Sequence, residues 1–177
     1  MNEKNREFKE QYLTIREEID DISTKLSEMY ATKMQCKAGC SSCCESITVF
    51  EVEFDAIQEQ ITKHKINLPK PLFLQRFTKR CRFLVNNRCS IYEYRPIICR
   101  TQGLPILYRS FNSDHYELSV CKLNFKGVKL NFFNDENALM MSPLNTKLLL
   151  LNHAYMKETA PSQKDLNKRR NLYELEG

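Results

Sequence analysis

Eight cysteines are the side chains of this 177-residue sequence best suited to chemistry. Four are gathered as Cys36-Lys-Ala-Gly-Cys40-Ser-Ser-Cys43-Cys44, and the others are Cys81, Cys89, Cys99 and Cys121. A thiolate is a strong, soft ligand for Zn(II) and for iron–sulfur clusters. CxxxC and CxxC spacings let successive thiolates face one ion, because the intervening residues form a tight turn, and Gly39 can supply a positive φ in it. Cys43 and Cys44 are adjacent, so their side chains are expected to diverge, each serving its own metal or one edge of a polynuclear cluster. Eight cysteines divide arithmetically into two four-sulfur sites, all eight being candidate ligands. The alternative occupation is a disulfide framework, and the compartment decides between the two. The chain opens MNEKNREFKE, which is charged and helix-prone, with no apolar leader and no small-residue cleavage site. A reducing cytoplasm is therefore expected, and metal rather than disulfides.

Two cations stand beside the candidate ligands in Cys89-Ser-Ile-Tyr92-Glu93-Tyr94-Arg95-Pro96-Ile-Ile-Cys99-Arg100. Arg95 and Arg100 can lower thiolate pKa and offset the negative charge of a thiolate-rich site, so both are candidate cofactor-binding residues. The alternative for Arg95 is a surface pair with Glu93, worth little. Cys36-x3-Cys40-x2-Cys43 also has the cluster spacing of radical S-adenosylmethionine enzymes. Those need a large α/β barrel, and this chain lacks the length and the strand–helix alternation. His64, His115 and His153 are scattered, without the spacing of a zinc finger.

Composition narrows the classes further. Hydrophobic residues make up 42% and charged residues 28%, as in an ordinary globular chain of one domain. No apolar run approaches the ~20 residues that a membrane-spanning helix needs, so no membrane is expected. The net charge is +5, and metal-bound thiolates would erode it, so nothing points to nucleic acid. Glycine is scarce, and no phosphate-binding loop is present.

The elements that must position the cysteines follow from periodicity. Residues Asn2 to Met34 read as one long amphipathic helix, with Phe8, Tyr12, Ile15, Ile19, Ile22, Leu26 and Met29 in alternating steps of four and three. Packing within the chain is the expected use of that stripe; docking a protein partner or a second copy is the alternative. Ile47 to Phe50 reads as a short strand and Glu51 to Lys65 as a helix ended by Leu68-Pro69-Lys70-Pro71. Arg82 to Tyr92 reads as a hairpin turning at Asn86-Asn87. Pro96 opens a short helix to Arg100. Ile106 to Phe111 and Tyr116 to Val120 form a second hairpin across Asn112-Ser113-Asp114. Ser142-Pro143 starts a helix with Ser142 as its cap and Leu144, Leu148, Leu151 and Tyr155 on its apolar face. The tail from Thr159 is polar and expected to fray, with Leu166, Leu172 and Leu175 able to form a weak last helix.

Taken together, these residues resemble the cysteine-cluster family of zinc- or iron-chelating domains. The resemblance runs through Cys36-x3-Cys40-x2-Cys43-Cys44, Val49-Phe50-Glu51, Cys81-Arg-Phe83-Leu84 and Cys89-Ser-Ile-Tyr92-Glu93-Tyr94-Arg95-Pro96-Ile-Ile-Cys99-Arg100 to Cys121. It covers about Cys36 to Phe125, leaving the first helix and the C-terminal segment outside. It implies metal binding through these cysteines, with zinc or an iron–sulfur cluster as cofactor, and no single activity. One branch looks like flagellin lysine N-methylases, which are longer; this chain has no recognisable methyl-donor pocket, and that activity is not carried over.

The expected fold is α+β: mainly α with small β-hairpins, a compact metal-stapled cysteine core, an N-terminal long helix and C-terminal helices. Residues 1–35 are the helix, 36–125 the metal-binding core and 126–177 the C-terminal segment of one domain. Three functions compete: a cytosolic metalloprotein, an enzyme using the metal or cluster in redox or protein-modifying chemistry, and an interaction module recruiting a partner through the long helix. Complete ligation by cysteine favours the first, because catalysis needs an open position.

Overall fold

In the computed structural model, which describes residues 3–37, 39–70, 79–110 and 115–177, three helices make the larger core. Helix α1 spans Glu3–Met29, α2 Glu51–Lys63 and α4 Met141–Thr159; α3 is the single turn Ile97–Arg100. The heptad stripe of α1 is used within the chain. Tyr12, Ile15, Ile19 and Leu26 are buried with Val52 and Ala56 of α2 and Leu144, Leu148, Leu151 and Tyr155 of α4. Met29, the last residue of the stripe, is 58% exposed, because the helix ends there and the chain turns away. Tyr30, just beyond, carries the packing on, edge-to-face with Phe125 and Phe133.

A second, smaller core lies on the other side of α2. Phe54, Ile57 and Ile61 meet Val49, Leu68, Phe83, Ile91, Leu172 and Leu175 there, with Cys81 and Cys89 packed against them. Strand β1 (Thr48–Phe50) pairs antiparallel with β7 (Arg169–Asn171). The tail after Thr159 thus returns to the fold instead of fraying, and forms a strand and a single 3-10 turn (Leu172–Glu174) instead of a helix. The reason is burial: Leu172 and Leu175 fill this core, while Arg82 donates to the carbonyls of Pro69, Tyr173 and Leu175 and holds the tail down.

The first hairpin joins β2 (Leu84–Val85) to β3 (Arg88–Cys89). Asn86 and Asn87 both adopt positive φ, 48° and 59°, as a two-residue turn of matching twist requires. Strands β4 (Ile106–Arg109) and β5 (Tyr116–Ser119) pair antiparallel, and β6 (Leu139–Met140) lies parallel to β4. The turn read at Asn112-Ser113-Asp114 falls outside the described residues. Ser142 sits inside the first turn of α4, which Met140 precedes as cap residue, so Ser142 is not the cap. Its Oγ accepts the Arg109 N–H at 2.8 Å and ties the sheet to the helix.

Two buried polar side chains lock the helices. Glu53 of α2 accepts from Tyr12 Oη on α1 (3.1 Å) and from the Ile97 N–H that opens α3 (2.8 Å). Asn152 of α4 accepts the Val52 N–H at the start of α2 (3.2 Å) and donates to the Leu166 carbonyl (2.8 Å). Each satisfies an amide that a helix start leaves without an intrahelical partner.

Candidate metal centre

The eight cysteines come from five places in this frame, and none forms a disulfide. Cys36 follows the turn after α1. Cys40, Cys43 and Cys44 lie on the next loop, where Gly39 takes φ +93° and the amides of Cys40 and Cys44 bond back to the carbonyls of Lys37 and Ser41. Cys81 and Cys89 flank the first hairpin, Cys89 facing Leu84 across the register. Cys99 lies on α3, and Cys121 opens a turn closed by the Asn124 amide at 3.0 Å.

Backbone contacts divide these positions in two. The Cys81 N–H donates to the Cys44 carbonyl at 3.1 Å, and an isolated bridge pairs Glu45 with Arg80, so Cys44 is drawn to the hairpin. Cys36 is instead drawn to the Cys121 turn. Asn124 Nδ2 donates to Cys36 Sγ at 3.3 Å, while Asn124 Oδ1 accepts the Gln35 N–H at 2.7 Å.

The electrostatics follow the same division. Cys36 is exposed as a residue, but its sulfur is sheltered. Burial raises its thiol pKa most, the Asn124 hydrogen bond lowers it, and charge on Cys121, Cys40 and Cys43 raises it again. The Cys44 thiol is raised by burial and then by Cys81 and Cys89, with Cys40 a lesser neighbour. Burial also raises Cys81, where Cys89 adds to the effect. It raises Cys89 as well, and Arg95 counters it there. Cys99 is pushed up to about 12, by burial first and then by Cys81 and Cys89, with Arg95 opposing. These effects place Cys36 beside Cys121, Cys40 and Cys43, and Cys99 beside Cys81, Cys89 and Cys44, while Cys40 acts on both Cys43 and Cys44. The Cys43 and Cys44 thiols stay within electrostatic reach of each other, charge on Cys44 being one of the causes that raise Cys43 after burial. Beyond each other, both have Cys40 as a neighbour, and Cys44 has Cys81 and Cys89 besides.

The donor set fits a metal–thiolate group. All eight thiols are free, and Ser90, next to Cys89, has a buried hydroxyl with no hydrogen-bond partner, a donor available to a sulfur acceptor. Gly103 leaves open the space beside Cys36: a Cβ there would stand 2.5 Å from the sulfur. Among the described residues, however, no three Cys, His, Asp or Glu side chains close on one point at ligand distance. The sulfurs are neighbours, and no formed coordination polyhedron is present.

The two arginines have different places. Arg100 is buried and committed to α1: Nη1 donates to both Asp20 carboxylate oxygens, at 2.8 and 2.6 Å, and Nε to the Arg95 carbonyl at 2.8 Å. Arg95 lies over the Tyr92 ring at 3.6 Å, donates to the Tyr92 carbonyl, and is the cation felt by Cys89 and Cys99. Glu53, Asn124 and Gly103 escaped the sequence reading. The Glu53-to-Ile97 and Asn124-to-Cys36 contacts join distant segments, and no local motif announces them.

A family model matches residues 35–122: CxxCxxCC, described as "Putative zinc- or iron-chelating domain". No curated protein and no solved structure matches the chain. Among the described residues, no helix is long and apolar enough to cross a membrane.

Proposed function

We infer from the membership of residues 35–122 in the CxxCxxCC family that this chain is a metalloprotein holding zinc or an iron–sulfur cluster through its eight thiolates. In this reading Cys36, Cys40, Cys43 and Cys121 serve one metal unit, and Cys44, Cys81, Cys89 and Cys99 the other. What supports the reading is that all eight cysteines are free, that the Cys81 N–H joins the Cys44 carbonyl, and that Asn124 of the Cys121 turn joins Cys36. Bound metal would supply a cross-link between chain segments that share little apolar contact around the first group. With every position filled by cysteine the role is organisational, since a catalytic zinc keeps one position open. Unpaired thiols at this density suit a reducing compartment, hence the cytoplasm. Arg95 offsets the charge of the second unit; a four-thiolate zinc site carries about −2.

Metal analysis of anaerobically purified protein, read with its visible absorption spectrum, tests this. Zinc predicts two ions per chain and no visible band; an iron–sulfur cluster predicts iron, acid-labile sulfide and a broad visible band. Protein that carries neither, and takes up neither when they are offered under reducing conditions, contradicts the reading.

A further inference from the structure

Three of the first group's four sulfurs lie in a loop with no large apolar residue between Gln35 and Cys44 other than cysteine itself. One side chain nevertheless fixes its beginning. Asn124 is 4% exposed and uses both ends of its amide. Nδ2 donates to Cys36 Sγ at 3.3 Å and to the Gly103 carbonyl at 2.7 Å; Oδ1 accepts the Gln35 N–H at 2.7 Å. Its own backbone N–H closes the turn on the Cys121 carbonyl at 3.0 Å. A single residue thus touches Cys36, the residue before it, and the turn that carries Cys121. Gly103 completes the arrangement. It has φ +95°, and a Cβ there would lie 2.5 Å from Cys36 Sγ and 3.3 Å from Asn124 Nδ2. Both the conformation and the space exclude a side chain.

We propose that Asn124 is the positioning residue of the first metal group, presenting the Cys36 sulfur to the metal, with Gly103 leaving the space that sulfur occupies. The proposal rests on the metalloprotein reading. An amide N–H aimed at a thiolate stabilises the charged form and fixes the direction of its remaining lone pairs. Because Oδ1 holds the backbone of Gln35 and Nδ2 the Gly103 carbonyl, the amide keeps its direction and cannot follow a sulfur that swings away. The same amide also keeps Cys36 near the Cys121 turn, although the two cysteines stand near opposite ends of the matched residues 35–122.

The experiment is release of zinc(II) from the zinc-loaded chain to a chromophoric chelator, comparing the natural sequence with Asn124→Asp, Asn124→Leu and Gly103→Ala. Asn124→Asp keeps an acceptor for Gln35 but sets a carboxylate oxygen against the sulfur; Asn124→Leu removes all three side-chain bonds at similar volume. Each variant should release one zinc ion about 10- to 100-fold more readily, the usual range for a residue that orients a ligand. The second ion, in the Cys44 group, should be held as before and serves as an internal control for folding. Cobalt(II) substituted into the first group should show a shifted thiolate charge-transfer band in Asn124→Asp. Unchanged release of both ions in Asn124→Asp and Gly103→Ala overturns the proposal, and so does equal loss of both ions, which would mark Asn124 as a fold residue only. A natural chain that takes up neither zinc(II) nor an iron–sulfur cluster defeats the metalloprotein reading first; for one that holds only a cluster, the same variants are compared by loss of its visible band to chelator, with the same outcomes deciding.

Discussion

Cys81 and Cys89 flank a hairpin whose Phe83 and Ile91 are buried in the smaller core, whereas Cys36, Cys40 and Cys43 follow one another along a Lys-, Gly- and Ser-bearing loop. The first region is packed by side chains as well as by whatever its sulfurs bind. The second is held by turns, by the Asn124 amide and by the Cys121 turn. The cations differ too. Arg95 faces Cys89 and Cys99, while a neutral amide is what touches Cys36. Sulfur sites of like composition can therefore depend on metal to different degrees, because the surrounding apolar area differs.

The largest expected effect comes from removing the metal. A structural zinc contributes about 10–16 kcal/mol of apparent binding free energy near neutral pH, so its loss should release whatever it alone holds. Chelation should abolish hydrogen-exchange protection at residues 35–44 and 121–124, reduce it at 81–92, and leave α1, α2 and α4 protected. Equal loss in both regions would break the comparison.

Next in size is Phe83→Ala, which removes a ring only 1% exposed from the smaller core. The expected cost is about 3–5 kcal/mol by denaturant unfolding of the metal-loaded protein. Metal retention in the Cys44 group should suffer and that in the Cys36 group should not. A loss below about 1 kcal/mol would show that metal, and not packing, carries the hairpin.

The arginines should separate by readout. Arg95→Gln is expected to weaken the second metal unit about 10- to 100-fold with little change in the first. Arg100→Gln breaks the bidentate contact to Asp20 and should cost about 1–3 kcal/mol of stability, moderated because Asp20 is partly exposed, with metal affinity nearly unchanged. The reverse pattern would reassign the charge-compensating role to Arg100.

The smallest effect concerns Glu53. Burial holds its carboxyl above the usual carboxylate range, against the opposing hydrogen bonds from Ile97 N–H and Tyr12 Oη. The sign follows from linkage. Below about pH 4.3 the group is neutral folded and unfolded, and ionisation costs nothing. As pH rises from there through the raised folded value, the unfolded chain ionises first and the folded state loses stability. Glu53→Gln removes that penalty. Its stability relative to the natural chain should therefore improve as pH rises from about 4 to 7, with both proteins compared under the same metal conditions. A difference independent of pH would mean that Glu53 ionises freely in the fold.

Much of this was legible in sequence because the signals are local. The α1 stripe, the Asn86-Asn87 turn, the Pro96 helix start and the cysteine motif each depend on neighbours within a few residues. The tail was misread for the opposite reason. Its fate as a strand against Thr48–Phe50 is decided by Leu172 and Leu175 finding a core assembled from residues far away in sequence, Val49 to Ile91. Ser142 has the residue type of a cap, but a neighbouring strand amide claimed its hydroxyl. The contacts behind the proposed grouping were equally out of reach, since Cys44–Cys81 and Cys36–Asn124 join segments far apart in the chain.

The division into two groups is tested most directly by native mass spectrometry of the anaerobically purified chain beside Cys121→Ser, Cys99→Ser and the double variant. Two metal units are expected in the natural chain, one in each single variant, and none in the double. Both units kept by a single variant, or both lost together, would contradict two four-sulfur groups.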